Sequence, residues 1–204
     1  MIKLKELIEL KSMVYSEEIK PKHKKKMNRA TPSFHEGIVL PKIQPPDNDS
    51  KTTIDELKEL ASIEENDSFA ESMDDVIETF RPYAEELGIQ EYVKKVIKES
   101  VKYIMELKYH YNRPRPYQVA EFLNMDLNGS TMLDSMKTPS YPSGHAIQGY
   151  LVGEILSKHN PSNSQVYRGI GEDIAHSRII AKAHYPSDKE YGKKIAFTLL
   201  KGLK

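Results

Sequence analysis

The residues that could do chemistry fall in three short stretches, each beside a helix breaker. "KYHYNRPRP" carries Lys108 and Arg115, "PSYPSGHAIQGY" carries Ser143, Gly144 and His145, and "SRIIAKAHYPSD" carries Ser177, Arg178, His184 and Asp188. Singly, each has an ordinary reading: surface cations, a helix start, a structural His–Asp hydrogen bond, a salt bridge. Taken together they suit one task. Lys108, Arg115 and Arg178 could converge on a small dense anion, because guanidinium forks match phosphate oxygens and an ammonium adds a point charge. Backbone N–H groups after Ser143, at the start of a helix, favour the same anion. Asp188, four residues after His184, can hold the Nδ1–H of that ring and leave Nε2 free to attack. His145 is then the candidate acid for the leaving oxygen. The set points to phosphoryl transfer by two histidines.

These groups must be positioned by helices. Tyr92, Val93, Val96, Ile97, Val101, Ile104 and Met105 repeat at helical spacing and predict a helix from residue 89 to about 110. "NRPRP" must end it, and Pro116 suits the first turn of another helix, "YQVAEFLN". Helices are also expected over about 144–158, with Ala146, Gly149, Tyr150 and Gly153 as a small-residue face, and over about 162–182 behind "NPSN". Ser187 or Asp188 then opens a last helix that buries Ile195, Leu199 and Leu200. Upstream, Thr53 with Glu56 reads as a capping box, and Ser72 with Asp75 as the start of a helix bent near Pro82 and ended by Gly88. Residues 1 to about 52 read as irregular apart from a short amphipathic helix at the start, with "SFHEGIVLPKIQPPDNDSKTT" as an extended strap over a core. No stretch reads as a sheet and no repeat is visible, so the expected class is all-α.

Composition narrows the function further. The 204 residues carry 30 basic and 30 acidic side chains, so no global field favours nucleic acid as a partner. The local run "KPKHKKKMNR", Lys20 to Arg29, is strongly basic and reads as a solvated, mobile segment or a polyanion contact. With no cysteine, disulfides, thiolate zinc sites and cysteine nucleophiles are excluded. No apolar run approaches the ~20 residues needed to span a bilayer, and charges interrupt "MIKLKELIELKSM" where a signal peptide needs an apolar core. The expectation is a chain outside the membrane, cytoplasmic in location.

In order, the three stretches resemble the signature of the type 2 phosphatidic acid phosphatase and vanadium haloperoxidase superfamily: Lys, six residues, Arg-Pro; Pro-Ser-Gly-His; Ser-Arg, five residues, His, three residues, Asp. Every fixed position is present, namely Lys108, Arg115, Pro116, Pro142, Ser143, Gly144, His145, Ser177, Arg178, His184 and Asp188. The chain is similar, from roughly residue 38 onward, to the soluble bacterial class A non-specific acid phosphatases. The resemblance implies a helical bundle of the acid phosphatase and haloperoxidase type, with residues 1–37 as a basic N-terminal extension and 38–204 as an all-α phosphatase domain. It implies that His184 is the nucleophile, forming a phosphohistidine, that Asp188 orients it and that His145 is the general acid. Lys108, Arg115, Ser143, Gly144 and Arg178 would hold the phosphoryl oxygens. The implied reaction is hydrolysis of a small-molecule phosphomonoester with no metal and no cofactor, inhibited by vanadate. Tyr185 and Pro186 resemble the lipid-phosphatase branch more than the class A branch. Diphosphate or lipid phosphate hydrolysis, vanadium-dependent halide oxidation and non-catalytic phosphate binding are the alternatives. The composition permits a homo-oligomer, and the loop from Met125 to Thr138, with the strap, is the expected contact for the leaving group.

Overall fold

The computed structural model describes residues 4–127, 133 and 136–204. The described chain is all-α. Apart from one isolated bridge between Phe34 and Leu203, no strand pairing occurs among the described residues.

At the centre lies α8 (Gly144–His159), packed by α6 (Gln90–Tyr111), α9 (Ser164–Ile180) and α10 (Pro186–Lys201). Its buried residues, Ala146, Ile147, Tyr150, Leu151, Val152, Ile155 and Leu156, run around much of its circumference, as a helix enclosed by others requires. The small-residue face works as a spacer. A Cβ on Gly149 would lie 2.9 Å from the Gly171 carbonyl oxygen, and one on Gly153 would lie 2.7 Å from that of Tyr167. Only glycine lets α8 and α9 approach this closely.

The helix breakers act where expected. Asn112, at φ 48°, ends α6 in the left-handed conformation. Pro116 opens α7 (Pro116–Phe122) and Pro186 opens α10, each missing an N–H that a first turn would leave unpaired anyway. Upstream, α5 (Val76–Glu86) contains Pro82 and is followed by Gly88 at φ +68°. Its cap is Asp75, whose carboxylate accepts from the N–H groups of Ile77 and Glu78, while Ser72 instead closes α4 (Asp67–Ser72).

Two further expectations are corrected. For α3 (Lys51–Ser62) the cap is Ser50, whose Oγ accepts from Thr53 N at 3.2 Å. Glu56 does not reach back as a capping-box partner; it turns inward to the site described below. Residues before 52 are also less irregular than they read, for α1 (Leu4–Ser12) is followed by α2 (Pro21–Met27) inside the basic run. No apolar period marks α2, because a single residue anchors it: His23, 3% exposed, shares a hydrogen bond with Tyr109 of α6. Asn48 Nδ2 donates to the carbonyls of Leu10 and Met13 and so closes the end of α1. The strap does lie over the core. Tyr191 and Tyr141 donate hydroxyls to the Pro41 and Ile43 carbonyls, and His35 N donates to Gly202 O at 2.7 Å.

Candidate active site

Three helix ends meet at one cavity: the last turn of α6, the first turn of α8 and the turn between α9 and α10. The cavity, about 270 Å³, is lined by Lys108, Thr138, Gly144, His145 and His184, among others. That is small against the ~300–1,000 Å³ of ordinary ligand sites and suits a phosphoryl group with a short leaving group.

His184 is buried, with Nδ1 3.0 Å from Asp188 Oδ2 and Nε2 3.0 Å from Arg115 Nη1. Because Asp188 can only accept, Nδ1 carries the proton and Nε2 keeps a lone pair. Burial lowers the His184 pKa well below the ordinary imidazole value, and Arg115 pushes the same way against the hydrogen bond that the ring donates to Asp188. The surroundings therefore favour the neutral ring, with the lone pair of Nε2 retained.

Asp188 is the hub. Burial alone would raise its pKa, but Arg113 and the hydrogen bonds of His184 and Ser140 hold it well below the usual carboxylate range. Oδ2 accepts from His184, from the Ser140 hydroxyl and from Tyr185 N at 3.0 Å, while Oδ1 accepts from Arg113 Nη1 at 2.7 Å. Arg113 extends the chain to Glu56 Oε2 at 3.2 Å and lies 3.8 Å over the Tyr185 ring. Glu56 Oε1 in turn accepts from Ser187 N at 2.6 Å, tying α3 to the first turn of α10.

Lys108 lines the cavity from the last turn of α6, and Arg115, beyond the break, meets His184 behind it. Lys108 Nζ donates to the Pro139 and Ser140 carbonyls, and burial, with Arg115 nearby, lowers its pKa well below the ordinary lysine value. Arg115 donates to Thr138 O at 2.8 Å and Ala183 O at 2.6 Å, and burial pushes its pKa down to about 10. Both cations are held in low dielectric, where an added anion is worth most to them.

On the other wall, Ser143 caps α8 with its Oγ 3.3 Å from Ala146 N. The N–H groups of Gly144 and His145 follow in the first turn, where no intrahelical acceptor exists. His145 Nε2 lies 2.8 Å from the Asp74 carbonyl and 3.3 Å from its carboxylate. Arg178 Nη1 pairs with the same carboxylate, Nη2 donates to Ala70 O, and Nε donates to Ser177 Oγ at 3.0 Å. The hydrogen bond with His145 and the charges of His145 and Arg178 hold Asp74 below the usual carboxylate range.

With this geometry in hand, the similarity to known proteins is specific. The sequence profile described as the PAP2 superfamily matches residues 87–203. The chain belongs to the PAP2 superfamily. Among curated relatives, a non-specific acid phosphatase of Salmonella typhimurium is 32% identical over 88 residues, 43% of this chain and 34% of that protein. Proteins of the same description from Salmonella typhi and Providencia stuartii are 31% and 30% identical over 88 and 89 residues. The match thus spans about a third of the length of each relative.

Of the eight residues expected to form this PAP2 site, Lys108, Gly144, His145 and His184 line the cavity directly. Arg115 and Asp188 contact His184, and Ser143 caps the helix that carries His145. Arg178 is spoken for by Asp74, Ala70 and Ser177. Sequence reasoning missed Arg113, Ser140, Glu56 and Asp74. Arg113 sat in plain view in "NRPRP", but nothing local distinguishes a buried guanidinium from a surface one. The spacing of Glu56 from Thr53 fits a capping box equally well, so nothing local points it toward Arg113. Of the loop expected to meet the leaving group, Lys137 and Thr138 line the cavity, whereas residues 128–132, 134 and 135 lie outside the described residues. No helix among the described residues is long and apolar enough to cross a membrane.

Proposed function

We propose that this PAP2 protein hydrolyses phosphomonoesters through a phosphohistidine on His184. The observation that carries the reading is the buried His184, its pKa depressed, held by Asp188 through Nδ1 with Nε2 against Arg115, on a cavity that it lines together with Lys108, Gly144 and His145. In the first step Nε2 attacks phosphorus, the bond to the leaving oxygen breaks, and His145 delivers a proton to that oxygen. With Nε2 of His145 occupied by Asp74, Nδ1 is the ring nitrogen that serves. In the second step His145 takes a proton from water as the water oxygen attacks phosphorus, and the P–N bond electrons return to His184 Nε2.

Lys108, Arg115 and the N–H groups of Gly144 and His145 stabilise the equatorial oxygens, where charge is greatest in the transition state. Arg178 joins them by exchanging the Asp74 carboxylate for a phosphoryl oxygen. Arg115 gives up its contact with His184 Nε2 in the same way, so that substrate binding itself frees the nucleophile. Vanadate, trigonal-bipyramidal when bound, competes for this cradle. No step calls on a metal.

The test is hydrolysis of p-nitrophenyl phosphate from pH 4 to 8 in EDTA, with and without vanadate, for wild type and His184→Ala. Turnover that persists in EDTA, falls with vanadate and vanishes in a folded His184→Ala protein supports the mechanism. Undiminished turnover in His184→Ala refutes it. The acid phosphatase names of the relatives support the same substrate class.

A further inference from the structure

The basic helix α2 forms part of the cavity wall. Lys22, His23 and Lys26 line the same space as Lys108, His145 and His184. We propose that Lys22 and Lys26 form a leaving-group subsite for a second phosphoryl group, so that the preferred substrates carry two phosphates rather than one. The inference rests on the phosphomonoesterase reading above and names its substrate class.

Three observations support it. First, Lys22 and Lys26 are four residues apart and so share one face of α2, in a helix with no acidic residue in its first turn. Like charges at this spacing weaken a helix, so the arrangement is a standing cost to folding. Second, α2 is fastened in place. Pro21 starts it, the buried His23 bonds to Tyr109, and just beyond its end Arg29 Nη1 donates to Lys98 O at 2.7 Å. Burial, with the surrounding lysines, lowers the His23 pKa, so the anchor is a neutral ring that adds no charge of its own. Third, none of the ion pairs among the described residues involves Lys22 or Lys26, so their ammonium groups are not committed to a carboxylate of the protein.

The phosphoryl group undergoing transfer is already matched by Lys108, Arg115 and the start of α8. The added cations therefore act on what lies beyond it, on the leaving side, next to the apolar wall of Val101, Ile104 and Met105. An ammonium on a flexible stem suits this role, since it follows a phosphate without demanding one orientation. A diphosphate and an organic bisphosphate present the same chemistry here, and either would leave with its second charge on α2.

The experiment compares kcat/KM on p-nitrophenyl phosphate, inorganic pyrophosphate and fructose 1,6-bisphosphate for the full chain and two variants. K22Q/K26Q removes the cavity lysines; K24Q/K25Q removes the same charge from positions that do not line the cavity. The expected result is a fall of about tenfold or more in the ratio of two-phosphate to one-phosphate kcat/KM for K22Q/K26Q, with the ratio retained in K24Q/K25Q. Loss on pyrophosphate alone or on the bisphosphate alone tells which source the subsite serves, and both support it. An unchanged ratio, or an equal fall in both variants, overturns the proposal.

Calorimetric titration of the wild type and K22Q/K26Q with pyrophosphate and orthophosphate gives a readout independent of turnover. Tighter pyrophosphate binding that depends on the two lysines supports the subsite even if no substrate turns over, in which case only the hydrolytic reading fails. Equal affinity for the two anions overturns it. Sedimentation with phosphatidylserine vesicles completes the test. Vesicle binding lost in K22Q/K26Q, with the substrate ratio unchanged, would assign the lysines to a lipid surface instead.

Discussion

Arg113→Met isolates the group that joins α3 to the nucleophile. Arg113 stands between Glu56 and Asp188, with side-chain exposures of 1%, 9% and 0%. Methionine keeps much of the stem and its packing over Tyr185 but leaves two buried carboxylates without their shared cation. Removing one partner of such a pair costs ~3–5 kcal/mol. At ~2–4 °C per kcal/mol for a chain of this size, the melting temperature should fall by roughly 6–20 °C.

The pH dependence sharpens this prediction. In the wild type the Asp188 pKa is depressed, so its stabilisation is complete above the unfolded carboxylate value of about 3.9 and is lost as pH falls through the folded value. Without Arg113, burial raises the folded Asp188 pKa toward or above that of the unfolded chain. The stability gap between variant and wild type is therefore largest near neutrality and shrinks toward acid. Thermal melts followed by circular dichroism at pH 7 and pH 4.5 measure both quantities. A fall of less than about 2 °C at pH 7 would refute the assignment of Arg113 as the countercharge of Asp188.

Other expectations follow from the same contacts. Because the His184 pKa is depressed, the unfolded chain gains a proton near pH 6.5 that the folded chain refuses. Stability should thus decline as pH falls below that point, by up to ~1.4 kcal/mol per unit, and His184→Asn should remove this component in denaturant titrations at pH 5 and 7. The same neutrality places the acid limb of kcat/KM well below pH 6.5, which a pH–rate profile reads directly. Asp74→Asn releases Arg178 and weakens the hold on His145. Inhibition by orthophosphate should tighten several-fold while kcat falls by about tenfold or more, and an unchanged inhibition constant would count against Arg178 as a phosphate ligand. Gly153→Ala places a Cβ 2.7 Å from the Tyr167 carbonyl oxygen and should cost ~1–3 kcal/mol in chemical denaturation.

The sequence by itself determined the helices and the reacting groups, because both are written in short-range pattern. Apolar residues at helical spacing set α6. Prolines 114 and 116 end it whatever surrounds them, and the glycines of α8 permit a close neighbour. His184 and Asp188, four residues apart across a proline, form a pair that the local chain suffices to build. Tertiary structure decided what those groups meet. Glu56 has the right spacing for a capping box, yet Ser50 takes the cap and Glu56 reaches Arg113 and Ser187, residues distant in sequence. Asp74 comes to lie between His145 and Arg178, which it precedes in the chain by 71 and 104 residues. The lysines of α2 read as a solvated run because no apolar period marks them. One histidine buried against Tyr109 turns that run into a wall of the cavity. Charge partners chosen across such distances depend on which helix ends converge, and that is a property of packing rather than of local spacing.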